Sequence, residues 1–220
     1  MPADPIRTIF TVCGLGGMMK WKLHTLSLAV GMLACADEAL AFQIPLGAVR
    51  QIALVVADPG PATESRHGHA ALRVSWGTPN ERDLVVSFEA DIPKAAAGLG
   101  HMMRGIGWGH YPSKVVALNY KQFQLAYQKE TRGVSTYPLR LMPVETARIV
   151  AFLNRELASG RGSRPFQILN YNCAVMLIEA LNAGLEKPIR GGGTNYPDKL
   201  PGLLRSAGLV SVSTYDEAFK

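Results

Sequence analysis

Cys173 stands in "NYNCAVMLIEAL" (residues 170–181), directly ahead of an apolar run with helical spacing. Two chemistries are open to it. A free cysteine is a small hydrophobe that packs well in a core. On the first turn of a helix it is instead a nucleophile, because unpaired N–H groups and the helix dipole favour a thiolate and the same donors can hold an oxyanion. A thiol nucleophile needs a base, and histidine is the usual partner. The sequence offers five: His24, His67, His69, His101 and His110. In "GHAALRVSW" (68–76), strand alternation puts His69, Ala71, Arg73 and Ser75 on one face, against Ala70, Leu72, Val74 and Trp76 on the other. His69 therefore points away from the more apolar side. If "DLVVSFEAD" (83–91) pairs antiparallel with that face matched, Asp83, Val85, Ser87 and Glu89 join His69, and either Ser87 or Glu89 orients its second ring nitrogen.

Other constellations are weaker. His67 and His69 sit at i and i+2, but no second ligand cluster accompanies them and Cys173 has no CxxC partner, so neither metal nor cofactor is expected. "GLGHMMRG" (98–105) lacks the dinucleotide-binding spacing, and "RGGGTNYP" (190–197) lacks the lysine and hydroxyl of a phosphate loop. Both read as turns. The expected substrate contacts are Asn172, beside the thiol, and Trp108 and His110 in the irregular segment 94–111, a candidate lid. His101 of that segment reads as a solvated residue or a lid contact.

The elements that must position these residues follow from periodicity. "VRQIALVVADP" (49–59) is a buried strand, and 69–77 with 83–91 form an antiparallel hairpin around Gly77, Thr78, Pro79 and Asn80. Next come a strand near 114–119, a short amphipathic helix and a strand near 134–141. "MPVETARIVAFLNRELASG" (142–160) is the clearest helix: Pro143 suits the first turn, Val144, Ala147, Ile149, Val150, Phe152, Leu153 and Leu157 make the stripe, and Gly160 ends it. The Cys173 helix runs towards Gly184, and a short helix lies near 197–206. Runs of strands and helices without strict alternation predict one α+β domain, an antiparallel sheet with packed helices.

The opening of the 220-residue chain reads differently. In "MMKWKLHTLSLAVGMLACADEALAF" (18–42), Lys20 and Lys22 precede an apolar run and the small residues Ala39, Leu40 and Ala41, the order of a secretory signal peptide. The apolar run is shorter than the ~20 residues of a bilayer span. The expected division is a leader at 1–41, with Met18 or Met19 as the true start, and one domain at 42–220. "MLAC" ending at Cys35 loosely matches a lipoprotein box and is the alternative processing site. Loss of 1–41 removes Arg7, Lys20 and Lys22 against Asp4, Asp37 and Glu38, so the net charge of +6 stays with the domain. That excess suits anionic lipid surfaces or cell-wall polymers, while no basic run with interleaved aromatics points to nucleic acid. Cys13 and Cys35 leave with the leader, and Cys173 remains alone in an oxidising compartment.

Together "GHAALRV", "DLVVSFEAD" and "NYNCAVMLIEAL" resemble the Lnb-type periplasmic domain family, with its GH-x-x-L-R-I/V strand and downstream NC helix. More remotely, the order is similar to circularly permuted papain-like folds such as lecithin:retinol acyltransferases and permuted NlpC-type peptidases. The resemblance spans about residues 52–184 and implies an exported Cys-His enzyme with Cys173 as nucleophile and His69 as base. Name-giving members transfer an acyl chain to lipoprotein amino termini and continue into a membrane region; a sequence ending at Lys220 gives the expectation of a free-standing hydrolase or a partner-dependent acyltransferase. The expected substrates are lipoproteins, lipids or cell-wall polymers, reached at a membrane surface. A non-catalytic lipid- or glycan-binding module and a cell-wall peptidase or amidase are the alternatives.

Overall fold

A computed structural model describes residues 43–60, 66–77, 83–91, 112–167, 170–190, 196–210 and 214–215. Seven strands form one sheet: β1 (Gln51–Ala57), β2 (His69–Ser75), β3 (Leu84–Ala90), β4 (Pro112–Asn119), β5 (Val134–Pro138), β6 (Arg161–Pro165) and β7 (Thr214–Tyr215). Their order is β6-β4-β3-β2-β1-β5-β7, and every neighbouring pair is antiparallel. The helices are α1 (Tyr120–Lys129), α2 (Pro143–Ser159), α3 (Cys173–Asn182) and α4 (Leu200–Ser206). The expected α+β class and the 69–75/84–90 hairpin are as observed. Strands β6 and β7 carry too little apolar pattern to be read from sequence, and both lie at the sheet edges.

The central strands are buried on both faces, which explains the unbroken apolar run of β1. One face carries Ile52, Leu54, Val56, Leu72, Val74, Val86 and Phe88 against α2, α3 and α4. The other carries Val55, Ala57, Ala71 and Val85 against Tyr120 and Phe123 of α1. Helix α2 departs from its expected stripe: Val144 and Ala147 are exposed while Glu145 is buried. The carboxylate has a use there, accepting the Met142 N–H at 2.9 Å and the Glu186 N–H at 3.2 Å. It caps the helix and ties its start to the chain leaving α3.

The ladder between β2 and β3 is shorter than either strand. Their pairing ends at Ala71 with Ser87, whereas β2 continues to His69 along β1 and β3 continues to Ala90 along β4. The sheet thus opens at the beginning of β2, and the start of α3 packs at this opening. The leader at 1–41 and the segment 94–111 lie outside the described residues.

Candidate functional site

A glycine delivers the histidine. Gly68 adopts φ +75°, and a Cβ there would stand 2.6 Å from the Ala57 carbonyl oxygen, so the turn into β2 demands glycine at this position. His69 then opens β2 opposite Ala57, and its ring lies on the α1 side of the sheet. Nε2 is 2.7 Å from the Ser87 hydroxyl, and that hydroxyl donates to Glu89 Oε1 at 3.2 Å. Ser87 is fully buried, while Glu89 reaches the surface and pairs with Lys114 at 3.7 Å.

This chain of contacts fixes the tautomer. A carboxylate only accepts, so Ser87 donates its single proton to Glu89 and must accept from His69. The ring proton is therefore on Nε2, and Nδ1 keeps a lone pair. The alternation pattern left Ser87 and Glu89 open as ring partners; the structure places Ser87 on the ring and Glu89 behind it.

Aromatic rings hold the imidazole from the α1 side. Tyr127 lies 6.2 Å away and nearly parallel, and Phe123 lies 6.3 Å away. Beyond Tyr127, the Arg132 guanidinium sits 4.5 Å from the phenol ring centre. Burial, with a smaller contribution from Arg132, lowers the His69 pKa to about 4. The ring is neutral at physiological pH.

Cys173 is the first residue of α3. Asn172 caps this helix, its side-chain oxygen accepting the Ala174 N–H at 3.0 Å and the Val175 N–H at 3.3 Å. Ahead of the cap, Gln167 and Tyr171 exchange backbone hydrogen bonds as an isolated bridge, and the Tyr171 hydroxyl donates to Glu179 at 2.7 Å. The sulfur lies within reach of the Ala70 N–H, one residue beyond His69, where the β2–β3 ladder has ended. The N–H groups of Cys173 and Ala174 also favour its negative form.

Those donors do not win. The residue is 5% exposed within the aliphatic cluster, and burial pushes the thiol up to about 11, aided slightly by the Glu89 charge. The depression expected from a helix N-terminus is thus reversed, because desolvation of a thiolate outweighs three backbone donors. At rest the pair is a thiol and a neutral imidazole.

The remaining sequence candidates fall as follows. Asn172 is buried and engaged as the helix cap. His67 packs at a tilt against Tyr196, with ring centres 5.2 Å apart and planes at 48°, and no group of His, Cys, Asp and Glu among the described residues could hold a metal. His101, Trp108 and His110 lie outside the described residues. Sequence reasoning missed Phe123, Tyr127 and Arg132. The first two carried a signal, aromatics four apart on an amphipathic helix; Arg132 carried none.

The family model of the Lnb N-terminal periplasmic domain matches residues 43–191, and the chain belongs to that family, whose domain is described as periplasmic. No curated protein and no solved structure matches the chain.

Proposed function

We propose that this Lnb N-terminal domain is an exported thiol enzyme of the bacterial envelope, in which Cys173 attacks an ester or amide carbonyl with His69 as base. The observation that carries the reading is that the backbone of Ala70, within reach of the Cys173 sulfur, adjoins a histidine whose Nε2 is already committed to Ser87, itself bonded to Glu89. Nδ1 of His69 takes the thiol proton as the sulfur–carbon bond forms, so no thiolate–imidazolium pair need exist beforehand. The Cys173 N–H and the positive end of the α3 dipole stabilise the oxyanion. Collapse breaks the carbonyl bond to the leaving oxygen or nitrogen, which departs with the proton from His69. An amine or water then attacks the thioester, His69 accepting its proton, and the thiol is restored. The same residues serve transfer and hydrolysis. A signal peptide at 1–41 and a fold of the permuted papain-like kind fit this reading, as does a substrate drawn from lipoproteins, lipids or cell wall.

A second reading is favoured by the 5% exposure and raised pKa of Cys173. It makes the cysteine a core thiol in a non-catalytic module that binds lipid or glycan. A fluorescent acyl probe separates the two. The enzyme reading predicts that the wild type forms a thioester that neither Cys173→Ala nor His69→Ala forms. Equal, background-level signal from all three supports the binding module.

A further inference from the structure

Arg132 is an odd residue to find buried. Its side chain is 5% exposed, Nε donates to the Asp58 carbonyl at 2.6 Å and Nη1 to Glu130 at 2.9 Å. Nη2 is buried and has no hydrogen-bond partner among the described residues. An orphaned buried donor on a charged group costs stability, and an aliphatic side chain would cover Tyr127 without that cost. The charge itself therefore calls for a role. What it faces is a stack of three planar groups, with the guanidinium 4.5 Å from the Tyr127 ring and that ring in turn 6.2 Å from His69 at 19°.

We propose that Arg132 is a positioning residue that holds the His69 imidazole through Tyr127 and opposes a second positive charge beside it. The inference rests on the catalytic reading of His69 and Cys173. One consequence follows. Once His69 has accepted a proton, the neighbouring guanidinium makes it a strong acid, which favours delivery to the leaving group. The charged and titratable groups around the neighbouring His69 and Tyr127 rings are Arg132 and Glu130 from the turn after α1, Cys173 from α3, and Glu89 from β3 with Lys114 behind it, while His67 on the preceding turn packs on Tyr196. Tyr127 is held neutral by burial, so Arg132 is the cation nearest the ring in the stack.

The test reads His69 directly, by NMR titration of labelled histidine in the whole domain. Arg132→Gln should raise the His69 pKa by about one unit, the size of a like-charge effect at close range. Arg132→Lys, which keeps the charge, should stay near wild type. Glu130→Gln leaves the buried stack intact and removes the anion that offsets Arg132, so it should move the titration the opposite way, downwards. A His69 titration unmoved by both Arg132→Gln and Glu130→Gln overturns the proposal. The outcome is independent of whether Cys173 is a nucleophile, which is decided by whether His69→Ala changes its alkylation.

Discussion

The two faces of the sheet differ in how much polar material is mixed into their packing. Against α2, α3 and α4 the buried cluster is almost wholly apolar, from Ile52 and Leu54 to Leu177 and Leu181. Against α1 the same strands add to Val55, Ala57, Ala71 and Val85 the polar His69, Arg73, Ser87 and, at the edge, Glu89, with Asp83 pairing to Arg73 at 2.7 Å and Tyr120 bonding Thr136 at 2.9 Å. Burial of apolar area stabilises the first face without direction. Directed hydrogen bonds on the second fix the orientation of rings and protons at a cost in desolvation. Cys173 belongs to the first face by its surroundings and meets the second only where the β2–β3 ladder stops. One face holds the helix in place; the other orients the His69 ring.

The comparison breaks first at the aliphatic face. Leu177→Ala, in the middle of α3 and fully buried, should cost about 2–5 kcal/mol in urea unfolding, because the packed neighbours cannot collapse into the hole. A loss below about 1 kcal/mol would mean that α3 is not anchored as described.

The pH dependence of stability comes next, and the two faces should lose it at opposite ends. His69 is depressed to about 4 from 6.5, so the unfolded chain takes up this proton first. Stability is full above about pH 6.5 and falls as pH drops towards 4. Cys173 is raised to about 11 from 9.0, so its contribution is full below pH 9 and falls as pH rises towards 11. His69→Gln should flatten the acid side and Cys173→Ala the alkaline side, read from denaturation midpoints across pH.

Ser87→Ala sharpens the polar face. It leaves the buried Nε2–H of His69 without its acceptor, a loss of about 1–3 kcal/mol in stability. If the ring orientation matters to the thiol, the acyl-labelling rate falls as well. Smallest is the cap: Asn172→Ala should cost about 1 kcal/mol by orphaning the Ala174 and Val175 N–H groups. A larger effect on labelling than on stability would assign Asn172 a role at the carbonyl.

Much of this arrangement was legible beforehand, for reasons that differ by residue. Alternation alone put His69, Ser87 and Glu89 on one face, because the hairpin register matches Ala71 with Ser87 and Arg73 with Val85. The start of α3 at Cys173 was readable from the apolar run, whereas Asn172 stood out only as a substrate contact and its capping role comes from the structure. The thiol pKa was not, since desolvation depends on what surrounds the sulfur and no local pattern encodes it. Arg132 was illegible for a similar reason: its partners Asp58 and Tyr127 come from β1's end and α1, and only the folded chain brings them together. On α2, Glu145 was missed because the stripe of periodic residues says nothing of a carboxylate folded inward to cap its own helix.

The most direct test of the central claim is the pH–rate profile of iodoacetamide alkylation of Cys173 in the native wild-type domain and in His69→Ala. A base-assisted thiol should react between about pH 5 and 8, below its own titration, and lose that reactivity when His69 is removed. Identical profiles for the two proteins, both rising only towards pH 11 or only on unfolding, would contradict it.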